Sequence, residues 1–253
     1  MNMFKRTISR RAALIGGVAL GAAGFSTAKV MELSADPVGE KDCGPWVSSA
    51  AGDATAIPVD TSAPLVAELD WAQQAGLIND ASCLNATAVY GIVRIHSEAD
   101  VRNALLFARE QGLKIAPAGV RHSMGGQAFA PRALILDMRP FNRIELDEAS
   151  RTITVQSGAT WHDIQNLLHP RFAVKAMQST DIFTVGGSIA VNAHGMDHQV
   201  GAIAQTIRSM RVMLADGSVQ TVSRSENPEL FRLVVGGYGL FGIILDAVLE
   251  ITE

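Results

Sequence analysis

The sequence predicts an α+β fold made of two α/β lobes. The chain has 253 residues, which is long enough for one large domain or two small ones. Apolar residues make up 48% of the chain and charged residues 18%, as expected for a globular protein with a substantial core. β-Branched runs alternate with amphipathic runs that start at helix-capping residues, so strands and helices are predicted in mixed order.

Charge and cysteine content narrow the class of protein. A formal net charge of −4 provides no basic surface, so we expect no nucleic-acid partner. The two cysteines, Cys43 and Cys83, form no CxxC motif. They can pair in an oxidising compartment, but the sequence alone leaves that pairing open.

The first 35 residues differ in composition from the rest and are predicted to be an export signal. Four basic residues precede a Gly- and Ala-rich apolar run over 12–28, and no acidic residue occurs before Glu32. The run SRRAAL, with Arg10 and Arg11, resembles the twin-arginine signal, although Ala13 stands where Phe is commoner. We therefore expect a periplasmic or extracellular protein. An uncleaved membrane anchor is the alternative, but the apolar run is shorter than the roughly 18–20 residues needed to span a bilayer.

Residues 36–85 are predicted to be a leader with one short helix. Pro, Gly, Ser and Asp are scattered over 36–60 without a helical or strand period. A helix is predicted over 62–76, because Ser62 can cap it, Pro64 falls in its first turn and Gly76 follows its last.

The first predicted lobe covers residues 86–158. A strand at 88–96 precedes a helix that opens with the capping box Ser97–Asp100 and ends at Gly112. The apolar face of that helix is predicted to consist of Val101, Ala104, Leu105 and Ala108. The rest of the lobe is predicted to contain a short strand at 114–118, a buried strand at 133–138 and a hairpin over 142–158.

The second predicted lobe covers residues 159–253. It begins with a helix whose capping box is Thr160–Asp163 and whose apolar face is Ile164, Leu167 and Leu168. A hairpin follows at 209–223, turned by Asp-Gly. A helix at 227–236 has Pro228 near its start, and a buried strand at 241–252 ends the lobe.

The run APAGVRHSMGGQAFAP at 116–131 is the first candidate binding loop. It lacks the Gly-Lys-Ser/Thr ending of a nucleotide-hydrolase phosphate loop, and a strand follows it where a dinucleotide fingerprint requires a helix. Its exposed backbone N–H groups can hold an anionic pyrophosphate, with added hydrogen bonds from Ser123 and Gln127.

Three segments resemble the vanillyl-alcohol oxidase / p-cresol methylhydroxylase (PCMH-type) family of FAD-binding proteins. They are the run at 117–138, TVGGSIAVNAHG at 184–195 and GGYGLFGIILDAVLEIT at 236–252, in the family's order and spacing. The likeness is greatest to the cytokinin dehydrogenase and the sugar-lactone and alditol oxidase branches, and it covers about 86–253. It implies two α/β lobes with FAD between them.

In the first lobe the resemblance implies a set of FAD-lining residues: Pro117, Gly119, Val120, Arg121, His122, Ser123 and Gln127. His122 falls where many members bind the flavin covalently through its 8α carbon. A neutral imidazole is a competent nucleophile toward that position. The alternative is a non-covalent contact between His122 and the cofactor.

In the second lobe the resemblance implies contacts to the ribityl chain and the pyrophosphate from Ser179, Thr180, Asp181, Thr184, Gly187 and Ser188. The spacing of Asp181 from the TVGG run differs from that in some branches. His194 falls beside the flavin in the sugar-oxidase branch. Ile243 or Ile244 is expected to present its backbone to the adenine, although a plain core strand also explains both residues.

A metal site at HGMDH is the competing interpretation of the second lobe. His194 and His198 are four residues apart with Asp197 between them, which suits zinc only on a helix, and Gly195 disfavours a helix there. No distant third ligand is evident, so we expect no metal.

The resemblance implies an FAD-dependent oxidoreductase that moves a hydride from a CH–OH or CH–NH carbon to flavin N5. Its partners would be a small-molecule substrate and an electron acceptor, oxygen or another. The family's substrate domain follows the flavin domain, whereas this sequence ends at Glu253. We therefore expect either that the chain is truncated before its substrate domain or that a separate partner completes the site, and the catalytic base stays unassigned. The alternatives are a flavin-binding module without turnover and, less favoured, a zinc hydrolase at His194 and His198.

Overall fold

The computed structural model describes residues 69–253. The predicted export signal, Cys43 and the first part of the predicted helix at 62–76 lie outside the described residues. The described helices are α1 (Glu98–Glu110), α2 (Trp161–Leu168), α3 (Val185–Ala190) and α4 (Pro228–Val234), with a 3-10 turn at Ile203–Thr206. The strands are β1 (Trp71–Gln74), β2 (Leu77–Ile78), β3 (Thr87–Ala88), β4 (Gly91–Arg94), β5 (Ile115–Ala118), β6 (Leu134–Asp137), β7 (Ile144–Asp147), β8 (Thr152–Gln156), β9 (Ala173–Val174), β10 (Ile207–Met213), β11 (Val219–Ser223) and β12 (Ile243–Thr252). The α+β class predicted from the sequence is confirmed.

A first sheet carries the candidate loop at its edge. Its strand order is β1-β4-β6-β5, in which β4, β6 and β5 are parallel and β1 is antiparallel. All four residues of β6 are buried, because Leu134 and Leu136 pack into one apolar cluster and Ile135 into another on the opposite face. Burial on both faces favours apolar residues, which explains the continuous run ALIL, and the buried Asp137 that ends the strand is paired with Arg139.

Helix α1 covers one face of the first sheet. The predicted capping box is present, with Ser97 accepting from the Asp100 backbone and Asp100 accepting from the Ser97 backbone. The face that it buries consists of Val101, Ala104, Phe107 and Ala108, while Leu105 is only half-buried.

The predicted helix at 62–76 is wrong where the structure describes it. Trp71–Gln74 forms strand β1, which pairs antiparallel with β4. Trp71 packs edge-on against Phe107 of α1, with ring centroids 5.7 Å apart. Ala and Gln favour a helix by well under 1 kcal/mol each, so strand pairing and aromatic packing outweigh that preference.

A second sheet has the order β11-β10-β12-β8-β7, and β9 also pairs with β12. The hairpin β7–β8 was assigned from the sequence to the first lobe. Its strand β8 pairs antiparallel with β12, so the hairpin belongs to the second sheet. Helices α2, α3 and α4 pack on this sheet in one cluster through side chains such as Trp161, Ile189 and Phe231. Leu167, predicted to face the core, is 46% exposed.

Strand β12 contributes side chains to two cores. Val212 pairs with Ile244 and Arg211 pairs with Asp246, so Leu245 is an extra residue in the strand. Beyond such a bulge, the alternation of side chains between the two faces of the sheet is reversed. Leu245 consequently packs with α1 and the first sheet, while Ala247 packs with the helices on the second sheet.

Within 69–253, no helix is long and apolar enough to cross a membrane.

Candidate functional site

A cavity of about 410 Å³ is lined by several parts of the chain. They include the loop that follows β5, the turn that follows β8, the first turn of α3 and the segment 238–244, which leads into β12. A cavity of this size is in the range used for small molecules and cofactors.

The loop after β5 is held in an unusual backbone conformation. Arg121 and Met124 have φ values of 57° and 59°, and Gly126 has 72°. Few non-glycine residues adopt a left-handed conformation, so other groups have to hold the loop in place. The segment 79–85 provides them, because the Ala81 N–H donates to Arg121 O at 3.0 Å and the Asn85 amide donates to Met124 O at 3.2 Å.

Asp80 is the centre of this attachment, and its side chain is fully buried. One carboxylate oxygen accepts from the Gly126 N–H at 2.6 Å and from the Ser123 hydroxyl at 3.2 Å, both in the loop. The other accepts from the N–H and the hydroxyl of Ser82, at 3.1 and 2.5 Å. Burial alone raises the pKa of Asp80. The hydrogen bonds from Ser82, Gly126 and Ser123 outweigh burial and hold its pKa below the usual value.

Two glycines allow the cavity walls to approach one another. A Cβ on Gly119 would lie 2.9 Å from the Cβ of Thr184 and would overlap its hydroxyl. A Cβ on Gly186 would lie 2.7 Å from the Cβ of Ser157. The glycines of the two recognised motifs are therefore required for close packing of the loop, α3 and the turn after β8.

His122 lies on the wall of the cavity with its side chain exposed. Its ring packs edge-on against Phe183, with centroids 5.0 Å apart and an interplanar angle of 86°. This contact fixes the side of the imidazole that faces the protein, while the rest of the ring stays accessible to a ligand.

A buried polar network supports the opposite wall. The Trp161 indole N–H lies 3.0 Å from the carboxamide oxygen of Gln178 and 2.9 Å from the Ser188 hydroxyl. The Ser188 hydroxyl lies 2.8 Å from the same Gln178 oxygen and 2.9 Å from Thr184 O. Trp161 is fully buried, and Gln178, Thr184 and Ser188 line the cavity.

Ten of the fifteen predicted site residues line the cavity: Pro117, Gly119, Val120, Arg121, His122, Ser123, Gln127, Thr184, Gly187 and Ser188. The other five, Ser179, Thr180, Asp181, His194 and Ile243, are not among its lining residues. Oδ2 of Asp181 lies 2.8 Å from Nδ1 of His162, within hydrogen-bond distance. Ile243 packs with the first sheet, whereas its neighbour Ile244 lines the cavity.

Several cavity residues were not named as site residues from the sequence: Ser157, Gln178, Phe183, Tyr238 and Leu240. Phe183 directly precedes the TVGG run and Tyr238 lies within GGYG, so proximity to a motif was a usable signal for both. Ser157 and Gln178 carry no such signal, and only the fold brings them to the cavity.

The residues present fit an FAD-type cofactor. The Ser157 hydroxyl is buried, its residue lines the cavity, and among residues 69–253 it has no hydrogen-bond partner. A buried hydroxyl without a partner costs about 1–3 kcal/mol, which a polar ligand can offset. The glycine loop and the carboxamides of Gln127 and Gln178 add donors suited to a ligand rich in oxygen acceptors.

The metal alternative gains no support from the geometry. Across the described part of the chain, no group of three or more His, Cys, Asp or Glu side chains is placed to hold a metal ion. The His194 ring nitrogen lies 3.0 Å from Gly195 O, a local contact.

Comparison with known proteins gives the same cofactor. A family model described as "FAD binding domain" matches residues 89–223. The chain is 32% identical over 174 residues to an "Uncharacterized oxidoreductase ORF5 in fasciation locus" of Rhodococcoides fascians, covering 68% of this chain and 39% of that protein. It is 33% identical to the decaprenylphosphoryl-beta-D-ribose oxidase of Mycolicibacterium smegmatis, covering 61% of this chain and 35% of the oxidase. It is 30% identical to cytokinin dehydrogenase 2 of Arabidopsis thaliana, covering 62% of this chain and 32% of the dehydrogenase. The matched segment thus spans 32–39% of the length of these curated relatives.

Proposed function

This chain belongs to the FAD binding domain family, and on that premise we propose that it works as an FAD-dependent oxidoreductase on CH–OH or CH–NH groups of a small molecule. The family match confirms the resemblance found in the three sequence motifs. The observation that carries the proposal is the cavity, which the glycine loop, α3 and the segment before β12 line together.

We propose that FAD lies between the first and the second sheet. The loop at 119–127 would hold the pyrophosphate through its backbone, and Thr184, Gly187 and Ser188 would face it from α3. The backbone of Ile244, which lines the cavity, takes the adenine contact that the sequence analysis left open between Ile243 and Ile244. When bound, FAD supplies a hydride acceptor at N5 and passes the electrons to oxygen or another acceptor.

Oxidation of a substrate requires a substrate pocket and an acid–base residue in addition to the flavin. The curated relatives are more than twice as long as the segment they share with this chain. We propose that a further domain or a partner chain completes the substrate pocket above the flavin. Two of the three named relatives are an oxidase and a dehydrogenase, so either oxygen or another acceptor is compatible with the proposal.

Export by the twin-arginine route is a separate proposal. It is supported by Arg10 and Arg11 in the basic leader and by the disulfide bond of Cys83, because disulfides persist mainly in oxidising compartments. The twin-arginine route carries folded proteins, so cofactor can be inserted before export.

Flavin reduction by candidate substrates tests the function. The purified full chain is loaded with FAD and mixed anaerobically with polyols, aldonolactones and N-alkyl adenines. We expect at least one class to bleach the flavin absorbance. FAD binding without bleaching by any class would favour a flavin-binding module without turnover, and failure to bind FAD would refute the cofactor assignment for this chain.

Denaturation of the same preparation tests whether His122 binds FAD covalently. Covalent attachment is supported by the exposure of the imidazole at the cavity wall, where a bound ligand can reach it, so we expect FAD mass to remain on the unfolded protein. A His122→Ala variant should release all of its flavin. Complete release of flavin from the wild-type protein would establish the non-covalent alternative.

A further inference from the structure

The carboxamide of Gln178 has one chemically possible orientation. An indole N–H can only donate a hydrogen bond, so the Gln178 atom that faces Trp161 at 3.0 Å is the carboxamide oxygen. The Ser188 hydroxyl, 2.8 Å from the same oxygen, is compatible with this orientation because it can donate to it. The Trp161 N–H therefore holds the oxygen against the protein.

The amide nitrogen of Gln178 then faces away from the core. Gln178 is half-buried and lines the cavity, and within residues 69–253 its nitrogen has no hydrogen-bond partner. The two hydrogens of this amide nitrogen take no part in the network with Trp161 and Ser188 and remain available as donors. Rotating the carboxamide would bring its N–H groups against the N–H of the fully buried Trp161, so the oxygen stays on the Trp161 side.

Gln127 on the facing loop repeats this arrangement. Its carboxamide oxygen accepts from the Gly125 N–H at 3.0 Å, and a backbone N–H is likewise only a donor. Its amide nitrogen is therefore also the group left for a ligand. Gln127 was expected from the family motif, whereas Gln178 lies outside every recognised motif.

We propose that Gln178 is a cofactor-positioning residue whose amide donates to an acceptor atom of bound FAD. The inference rests on the proposed function, since it takes FAD as the occupant of the cavity. The acceptor is either a flavin ring atom or a pyrophosphate oxygen, and both have the same requirement for an N–H donor. The anchoring by Trp161 and Ser188 gives this donor a fixed direction before the cofactor binds, which reduces the ordering cost of binding.

Gln178→Glu tests the inference directly. The variant keeps an oxygen toward Trp161 and Ser188 but replaces the donor on the cavity side with a charged acceptor. We expect the dissociation constant for FAD, measured from the fast phase of flavin fluorescence quenching on apoprotein, to rise about tenfold or more. ADP is titrated in parallel by calorimetry. An equal loss of ADP affinity places the contact on the pyrophosphate, and unchanged ADP affinity with weakened FAD places it on the flavin side.

Gln165→Glu is the matched control, because it makes the same charge change on the exposed face of α2. Gln178→Met provides a neutral second variant of similar length, and it decides the question if urea unfolding shows that the Glu variant does not fold. Wild-type affinity for FAD in a folded Gln178→Glu or Gln178→Met protein overturns the inference. Equal losses at positions 178 and 165 also overturn it. A wild-type chain that binds no FAD refutes the proposed function, which is a different result.

Discussion

At the scale of single residues, the cofactor loop, which is the glycine loop at 116–131, depends on a carboxylate outside its own motif. Asp80 accepts from Gly126 and Ser123 of the loop, so that N–H and that hydroxyl hydrogen are already used inside the protein. The pyrophosphate contacts proposed for the loop therefore fall to other backbone N–H groups and not to the Ser123 hydroxyl hydrogen. The Asp80 carboxylate thereby helps to hold the loop in the conformation that gives Arg121, Met124 and Gly126 positive φ values.

Asp80→Asn is expected to destabilise the protein by about 2–3 kcal/mol at pH 7. The amide nitrogen would replace one of the two oxygens, which accept from Gly126, Ser123 and Asn85 on one side and from Ser82 on the other, so donors would face donors. The pKa of Asp80 is lowered in the folded protein. Its ionisation therefore contributes stability above the unfolded pKa of about 3.9, and this contribution is lost as the pH falls through the folded pKa. Urea unfolding from pH 7 to pH 3 should show the difference between wild type and variant shrinking below about pH 4.

Asp216→Asn is the control for this substitution. Asp216 accepts from the N–H and the hydroxyl of Ser218, at 2.9 and 2.6 Å, in the same Asp-x-Ser turn that Asp80 makes with Ser82. Asp216 is exposed and has no contact with the cofactor loop. We expect its loss to cost well under half as much. Equal costs for the two variants would mean that the turn, and not the attachment of the loop, accounts for the effect of Asp80.

At the scale of elements, sequence patterns predicted those structures that local chemistry determines. Both capping boxes are present at α1 and α2, because the Ser or Thr cap and the Asp three residues later satisfy each other within one turn. The buried strand β6 and the Asp-Gly hairpin of β10 and β11 were predicted for similar reasons. Strand β1 was mispredicted because its conformation depends on pairing with β4, which lies about twenty residues further along the chain.

The site residues that were predicted belong to local motifs, and those that were missed depend on partners far away in the sequence. Gly119 and Thr184 were expected from their motifs, and the structure brings them into direct contact. Gln178 and Asp80 have no local motif, because their roles come from Trp161 and Gly126, partners 17 and 46 residues away. The extra residue Leu245 in β12 was not predicted either, because a bulge can be recognised only when the pairing with the opposite strand is known. Features that depend on contacts between distant parts of the chain were therefore not predicted from the sequence.

At the scale of the whole molecule, the two sheets are joined through shared elements. All described residues fall within one compact unit. Strand β12 places Leu245 with the first sheet and Ala247 with the second. Arg211 of β10 pairs with Asp246 of β12 and with Glu98 of α1, at 2.9 Å for the Glu98 contact. The Arg211–Glu98 contact crosses from the helix of the first sheet to the second sheet, so separating the sheets would break this ion pair and expose apolar surface.

We therefore expect both sheets to unfold in one transition, whichever core is weakened. Val101→Ala creates a cavity in the cluster around α1, and Val155→Ala creates one in the cluster on the second sheet; both residues are fully buried. Each should cost about 2 kcal/mol.

Pulse-labelling hydrogen exchange across a urea series can follow β6 in the first sheet and β8 in the second within the same sample. Each variant should lower the midpoints of β6 and β8 by the same amount, since neither sheet is stable without the contacts of β12. A Val101→Ala protein in which β6 opens at lower urea while β8 keeps its wild-type midpoint would show that the cofactor cavity lies between independently unfolding halves.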